Sequence, residues 1–226
     1  MRERMLTFFV AGVLTVVVFI FFFYQTQPIP VPKPPASSSD TNAPKVPVVT
    51  FVNPSHGPAS AKVTIVSYED FECTVCNELN PVLESVQKAF PNDVKFVWKD
   101  MPNDSAHPNA TPAAIAAHCA AQQGKFWEYG QALFQQQASL SDATYTQIAT
   151  ALRLNTIKFN NCVATKDTLP IIQKDAEEGT ALGIVATPTL FVGTQRFVGL
   201  DTVDELTAAV QLELTNAQAH APVQAK

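Results

Sequence analysis

A cysteine pair lies between a strand-like segment and a helix-like segment, and this junction constrains the fold more than any other feature of the sequence. Segment 61–68, AKVTIVSY, is rich in β-branched and apolar residues and predicts a buried strand. Cys73 and Cys76 follow it, and apolar residues then recur at helical spacing from position 79 to position 90. Segment 94–100, VKFVWKD, predicts a second strand, so the order is that of a βαβ unit.

The rest of the chain predicts a helical block, then a hairpin and a last helix. The hairpin follows from two strand-like runs within 187–200 that flank a Gly193–Thr194 turn. The parallel βαβ strands and the antiparallel hairpin predict an α/β fold with a mixed central sheet, interrupted by a helical insertion over about residues 108–183. Helices are predicted, with their caps, at 111–137 (Thr111, with Pro112 first in the helix), 141–154 (Ser141 or Asp142), 165–183 and 202–214 (Thr202 with Glu205).

The N-terminal segment predicts one transmembrane helix. Residues 6–24 form an apolar run without a charge, and as a helix it would span about 28 Å, close to the thickness of a bilayer core. Arg2 and Arg4 precede the run, so the positive-inside rule places residues 1–5 in the cytoplasm and the later residues outside it. A cleaved signal peptide is the alternative, but the run is long for one and no small-x-small site follows it. We expect an uncleaved signal-anchor in the cell membrane.

The anchor is followed by a predicted linker, one folded domain and a tail. Residues 25–47 contain closely spaced prolines that favour polyproline II, and then a Ser/Asp/Asn stretch that favours flexibility. Residues 48–215 are of normal size for a single domain. Residues 216–226 are predicted to be a disordered tail.

Composition and spacing disfavour several other classes of protein. Charged residues are 15% of the chain, the net charge is −5 and no Lys/Arg cluster occurs, so nucleic-acid binding has little support. Cys119 and Cys162 belong to no second CxxC pair, so a zinc site is disfavoured, and Asn77 stands where covalent haem attachment requires histidine. We expect no metal, and no cofactor beyond a Cys73–Cys76 disulfide. The histidines show no metal-ligand spacing and are expected to be solvated or hydrogen-bonded surface residues; they are His56, His107, His118 and His220.

Several motifs in this order resemble the DsbA-like branch of the thioredoxin superfamily, and in particular its membrane-anchored bacterial members. Pro81 follows the first cysteine by eight residues, as the helix-kinking proline of thioredoxin-like proteins does. The motifs that carry the resemblance are VTIVSYEDFECTVC, AAHCAAQQGKFWEYGQALF and GIVATPTLFVG, and together they extend over about residues 55–215. The resemblance implies a thioredoxin-like fold with an inserted helical subdomain.

The resemblance also implies roles for the cysteine pair and for a proline loop. Cys73, at the helix start, is expected to be the nucleophile because helix N–H groups and the helix dipole stabilise a thiolate there. Cys76, one turn later, is expected to resolve the mixed disulfide. In the family, a cis-proline loop receives the substrate backbone, and Thr187–Pro188 is the matching dipeptide.

Two positions depart from the family pattern. The family usually carries a buried acid six residues before the first cysteine to help move protons, whereas this chain has Ser67 there. Glu69, Asp70 and Glu72 are close to Ser67 in the sequence, but the sequence does not indicate where their side chains point. Thr74 and Val75, between the cysteines, are expected to tune the redox potential. They lack the histidine that stabilises the thiolate in strong oxidants of the family, so a strong oxidase is not predicted from the motif.

Cys119 and Cys162 are the remaining cysteines. In an oxidising compartment the first expectation is a structural disulfide, which would close a loop of 44 residues and stabilise the fold by about 4 kcal/mol. Two buried free thiols or a second redox pair are the alternatives. Similar cysteines in related anchored proteins support the disulfide.

The sequence therefore predicts a membrane-anchored extracytoplasmic thiol–disulfide oxidoreductase, expected to act as an oxidase. Its expected partners are reduced exported polypeptides and a DsbB-like or VKOR-like membrane protein that reoxidises it. A reductase or isomerase of the same fold is one alternative. A non-catalytic thioredoxin-like binding or chaperone module is another, and a purely structural Cys73–Cys76 bond would accompany it.

Overall fold

The fold is described from a computed structural model, which defines residues 45–219. The predicted anchor at 6–24 and nearly all of the predicted linker lie outside the described residues, as does the tail beyond residue 219. No helix within residues 45–219 is both long enough and apolar enough to cross a membrane. The described residues belong to one compact unit.

Strands and helices follow one another in the order expected of a βαβ unit, a helical block and a closing ββα unit. A short 3-10 turn, Gln137–Ser139, lies within the helical block. The strands are β1 (Ser55–His56), β2 (Val63–Glu69), β3 (Val94–Asp100), β4 (Thr189–Val192) and β5 (Gln195–Val198). The helices are α1 (Thr74–Ala89), α2 (Ala110–Ala121), α3 (Phe126–Gln135), α4 (Asp142–Ala151), α5 (Thr156–Thr165), α6 (Leu169–Ala181) and α7 (Val203–Ala219).

The strands form one mixed sheet in the order β1-β3-β2-β4-β5. β2 and β3 are parallel, with Val63 opposite Val94, while the other three neighbouring pairs are antiparallel. The predicted mixed sheet is therefore confirmed. β1 is an additional edge strand of two residues, too short to give a sequence signal.

Helices cover both faces of the sheet. On one face, apolar residues of β2, β3 and β4 pack against buried residues of α1 and α7, such as Leu79 and Leu206. On the other face, Val66 and Tyr68 of β2 pack against Ile184, which follows α6. Successive side chains of β2 therefore point to opposite faces of the sheet, and both faces are buried.

The helical insertion has its own apolar core, which reaches the start of α1. Alanines of α2 pack there against aromatic residues of α3, α4 and α5, including Tyr129, Tyr145 and Phe159. Phe71 joins this core and stacks on Trp98 of β3, with ring centroids 4.4 Å apart. The insertion thus packs directly against the segment that carries the cysteine pair.

One predicted insertion helix is two helices in the structure. The segment predicted to be helical over 111–137 breaks between α2 and α3, where Gly124 has φ +73°, a conformation that ends a helix readily. Thr111 is not the N-cap; the helix starts at Ala110, and Asn109 is the capping residue. The Thr111 side chain and N–H instead bind the Asp104 carboxylate. The sequence signal failed because alanine-rich helix formers stand on both sides of the glycine.

Two other expectations about helices were wrong. Helix α5 was not predicted, because only Phe159 and Cys162 of its residues are buried and the apolar periodicity is weak. Asn155 caps it by accepting a hydrogen bond from the Lys158 N–H. The last helix runs to Ala219, so residues 216–219 are helical rather than part of a disordered tail.

Candidate active site

Cys73 is the N-cap residue of α1, where the first helical N–H groups have no partner within the helix. Its backbone is extended, with φ −77° and ψ 117°, and its sulfur accepts a hydrogen bond from the Cys76 N–H at 3.3 Å. A serine or aspartate oxygen often takes this role, so sulfur here acts as the capping atom. Negative charge on the sulfur is favoured by this N–H group and by the positive end of the helix dipole.

The surroundings of Cys73 hold its pKa well below that of an ordinary thiol. Hydrogen bonds from the Cys76 thiol, from the Thr187 side chain and from the Cys76 N–H lower the pKa of Cys73 to about 6. Burial and the Asp70 charge act in the opposite direction but are weaker in sum. Most of Cys73 is therefore thiolate at neutral pH, with 5% of its surface exposed to a reaction partner.

Cys76 lies one turn further along α1 and has the opposite character. It is fully buried, and burial is the main reason that the pKa of its thiol is raised far above the usual range. Its hydrogen bond to Cys73 and the Glu69 charge raise the pKa further. One cysteine is thus ionised and slightly exposed, while the other keeps its proton and is hidden.

The loop before β4 lies against Cys73. The Thr187–Pro188 peptide bond is cis, Pro188 is buried, and the Thr187 carbonyl oxygen is 3.5 Å from the Cys73 sulfur. Thr74 and Val75, the two residues between the cysteines, are exposed. Val185 in the loop is an apolar residue that is 93% exposed. The structure therefore brings Cys73, Cys76 and the Thr187–Pro188 dipeptide together at one end of the sheet.

A comparison of the sequence with models of protein families identifies the family of this chain. The family model described as "Thioredoxin" matches residues 51–212, which contain every strand and all but the last turns of α7. The chain belongs to the thioredoxin family. With its mixed sheet and helical insertion, this thioredoxin domain is a DsbA-like one.

Individual relatives of the thioredoxin domain agree with this assignment. The catalytic domain of Proteus mirabilis ScsC is 26% identical, with a TM-score of 0.63, over 73% of this chain and 90% of that one. The thiol-disulfide exchange protein alpha-DsbA2 from Wolbachia pipientis is 20% identical, with a TM-score of 0.65, over 72% and 87% respectively, and shares the fold.

A curated relative of the thioredoxin domain carries a different name. The Na(+)/H(+) antiporter NhaA 3 of Salinispora tropica is 33% identical over 162 residues, which are 72% of this chain. The chain spans about a quarter of the length of that antiporter. The name therefore describes a much longer protein, and the likeness concerns the thioredoxin domain.

The thioredoxin domain has a buried acid, but it is Glu69. Ser67 and Glu69 lie two residues apart on β2 and so on the same face of the sheet. Glu69 is 2% exposed, burial raises its pKa to about 8, and its charge is felt by Cys76. The Ser67 hydroxyl lowers that pKa only in part. Alternation along β2 from the inward-facing Ile65 could have predicted that Glu69 points inward.

Ser67 and Glu69 border a cavity between α1 and α3. Its volume is about 710 Å³, and most of its wall is apolar, with aromatic residues that include Trp98, Phe126 and Trp127. The Ser67 hydroxyl is near Glu69, but neither this hydroxyl nor Glu69 Oε2 makes a hydrogen bond of normal geometry among the described residues. The cavity therefore borders a buried carboxyl oxygen that no described protein group binds.

The insertion contributes residues to the active site that the sequence did not reveal. The Gln137 side-chain amide donates hydrogen bonds to the carbonyl oxygens of Phe71 and Cys73, both at 2.9 Å. The Asn77 side chain donates to the Phe134 carbonyl at 3.2 Å. Because these contacts join segments more than 50 residues apart, no local pattern could have predicted them.

His118 is not the surface residue that was expected, whereas His107 is hydrogen-bonded and partly exposed, in agreement with the expectation. His118 is buried and its ring nitrogen lies 2.6 Å from Asp100 Oδ2; although burial acts to lower it, the pKa of His118 is raised by this carboxylate. His107 is partly buried and its Nδ1 lies 2.7 Å from Asp70 Oδ2. No group of three or more metal-ligating side chains converges within residues 45–219.

Cys119 and Cys162 form a disulfide that joins α2 to α5. Both residues are buried in the core of the insertion. Trp127, next to this core, donates a hydrogen bond to the Ser55 carbonyl at 3.1 Å, and Phe126 packs edge-on against Trp98. These two aromatic residues pack the insertion against the sheet.

Proposed function

We propose that the chain is a membrane-anchored thiol–disulfide oxidoreductase that acts outside the cytoplasm and introduces disulfides into exported polypeptides. The observation that carries this proposal is the contrast between Cys73 and Cys76. A thiolate at a helix start beside a buried, protonated thiol is the arrangement that disulfide exchange requires. A purely structural cysteine pair has no need of such a difference in ionisation.

The direction of the reaction follows from the low pKa of Cys73. A stabilised thiolate favours the reduced enzyme, and a pair that prefers to be reduced is a good oxidant of other thiols. This supports the oxidase over the reductase or isomerase alternative, although Thr74 and Val75 supply no histidine. The non-catalytic alternative is disfavoured because Cys73 is ionised and partly accessible.

In the oxidising direction, the enzyme begins with a Cys73–Cys76 disulfide. A substrate thiolate attacks the Cys73 sulfur, forms a mixed disulfide and releases Cys76, which takes a proton. Glu69, with its pKa raised to about 8, is protonated at neutral pH and can donate that proton. A second substrate thiolate attacks the substrate sulfur and releases Cys73 as thiolate. Once Glu69 has taken a proton back from solvent, the two substrate thiols have lost two electrons and two protons. The enzyme keeps both electrons and one proton, and the other proton goes to solvent.

The substrate and the resetting partner are proposed on chemical grounds. Val75 lies between the two cysteines, and Val185 lies two residues before Thr187. Both are exposed and suit an unfolded, apolar polypeptide segment. The dithiol that remains after one cycle must be reoxidised, which a DsbB-like or VKOR-like membrane protein would do. The apolar run at 6–24 supports anchoring in the cell membrane, with the catalytic domain outside the cytoplasm.

The test uses the full chain, purified in detergent, equilibrated with glutathione buffers and mixed with a reduced peptide. We expect a reversible two-electron couple nearer to about −120 mV than to about −270 mV, and oxidation of the peptide. Cys73→Ser should abolish both, whereas Cys76→Ser should accumulate a mixed disulfide. A couple near −270 mV would indicate a reductase, and the absence of a couple would rule out the enzyme.

Membrane orientation is tested separately in cells. A membrane-impermeant thiol reagent should label Cys73 in intact spheroplasts of the Cys76→Ser variant. A cysteine introduced at position 3 should be labelled only after lysis. Labelling in the reverse order would contradict the proposed orientation.

A further inference from the structure

The segment between β3 and α2 is bound to the active-site segment by acidic side chains. Asp70 Oδ2 accepts a hydrogen bond from the Asn103 N–H at 3.1 Å and lies 2.7 Å from His107 Nδ1. Glu72 Oε2 accepts from the Asn109 N–H at 2.6 Å. His107 is therefore held beside the cysteine pair by the residues that immediately precede it.

Asp70 is closely coupled to Cys73. The Asp70 side chain is fully buried, its Oδ1 accepts the Glu72 N–H at 2.8 Å, and its carbonyl accepts the Cys73 N–H at 3.1 Å. Its negative charge disfavours a thiolate at Cys73. A buried carboxylate next to a required anion needs a compensating positive charge.

His107 supplies a group that can carry this charge. The charged groups that face its ring are Asp70, Glu72 and Cys73, all of them acidic. Burial acts to lower the pKa of His107, but the Asp70 hydrogen bond and these three charges together raise it. Because coupling between two titrating groups is reciprocal, an imidazolium that is stabilised by the thiolate also stabilises the thiolate.

We propose that His107 is a positioning residue for Cys73, whose protonated ring neutralises Asp70 and so maintains a negative sulfur at the start of α1. The histidine that is absent from between the two cysteines is thus supplied by another segment, 34 positions further along the chain. This inference rests on the proposed disulfide exchange and deepens it, since it names what sets the reactivity of the nucleophile.

The proposal makes the reactivity of Cys73 depend on pH in a particular window. Below about pH 6 the thiol is protonated, and above the raised pKa of His107 the imidazolium is lost. The ion pair is complete only between these two limits. His107 remains 27% exposed at its side chain, so it exchanges protons with solvent without opening of the fold.

The experiment compares His107→Gln and His107→Lys in the full chain, with His56→Gln as a control for loss of a histidine elsewhere. The thiolate absorbance of Cys73 is titrated, and the equilibrium with oxidised glutathione, which forms the enzyme disulfide and two reduced glutathiones, is measured. We expect His107→Gln to raise the pKa of Cys73 by about one unit. At pH 7 this corresponds to an about fivefold increase in the equilibrium constant for oxidation of the enzyme.

His107→Lys keeps a positive charge and should retain a Cys73 pKa near that of the wild type. The part of the pH dependence that comes from titration of residue 107 should disappear, because the lysine stays protonated. If His107 only supports the fold, His107→Gln and His107→Lys would alter stability alike and leave the titration of Cys73 unchanged. That result would overturn the proposal. An unchanged glutathione equilibrium in His107→Gln also overturns it. Failure of the wild type to show any couple would instead refute the proposed function.

Discussion

The buried carboxyl beside the cysteine pair lies at residue 69 and not at residue 67, where the resemblance to DsbA-like proteins led us to look for it. Two residues along a strand preserve the face but move a side chain by about 7 Å towards the active site. Glu69 therefore remains on the Ile65 face and closer to the helix start than Ser67 is. The sequence shows that acidic residues lie near the cysteine pair. Which of them points into the protein depends on which face of β2 each residue occupies.

Glu69 also makes the stability of the fold dependent on pH. Its pKa is about 8 in the folded chain, against 4.5 as the ordinary value. A raised pKa means that the folded state retains its proton longer, so this contribution is complete below pH 4.5 and is lost as pH rises through 8. Glu69→Gln should therefore unfold like the wild type at pH 5 but be more stable at pH 9, by roughly 3 to 5 kcal/mol.

Urea denaturation of both proteins at pH 5, 7 and 9 measures this difference. Ser67→Ala is the matched control, because it removes the neighbouring polar group on the same face without changing a titrating one. If the free energies of unfolding of wild type and Glu69→Gln stay parallel across the three pH values, Glu69 is not buried as a neutral acid.

At the scale of elements, the sequence predicted what periodicity and strong caps encode. β3 has the bounds expected of it, and Ser141 caps α4 as predicted, by accepting the Thr144 N–H. The break at Gly124 was missed because helix propensity is high on both sides of the glycine. The short helix α5 was missed because its apolar periodicity is weak. Contacts between distant segments, such as Gln137 with Cys73, are set by packing and leave no local signal.

The α2–α5 disulfide should account for a measurable part of the stability of the insertion. It closes a loop across a sequence separation of 43 residues, which in the chain-entropy picture is worth about 4 kcal/mol. The double variant Cys119→Ala/Cys162→Ala should therefore lose stability of that order in thermal or urea unfolding. Its Cys73–Cys76 glutathione equilibrium should remain that of the wild type.

The matched control for this prediction removes the other pair. Cys73→Ser/Cys76→Ser should keep the free energy of unfolding near that of the wild type, and peptide mapping should still find Cys119 joined to Cys162. Equal destabilisation by the two double variants would show that the Cys119–Cys162 bond has no special role in stability.

At the scale of the whole molecule, a buried ion-pair network joins the sheet to the helical insertion. Lys99 of β3 lies 2.8 Å from Asp175 and 2.7 Å from Glu178, both on α6. Asp175 also accepts a hydrogen bond from the Asn53 side chain at 3.1 Å. Removing one partner of such a pair leaves the other charges buried and uncompensated.

Lys99→Met should accordingly destabilise the fold by about 3 to 5 kcal/mol. Lys62→Met is the control, because it breaks an exposed pair with Asp93 at 3.3 Å, for which about 0 to 1 kcal/mol is expected. Unfolding followed at once by tryptophan fluorescence and circular dichroism should remain a single transition in both. A loss as small as that of Lys62→Met would mean that the network contributes no net stability.

Cys119 and Cys162 are buried in the core of the insertion, whereas Cys73 adjoins the exposed residues Thr74 and Val75. Disulfide exchange needs the attacking sulfur to approach in line with the bond it breaks, and a nucleophile on a second copy of the chain has no such approach here. The Cys119–Cys162 disulfide is therefore protected from exchange with the cysteine pair of another copy. Folded copies of the chain are therefore expected not to cross-link through this bond.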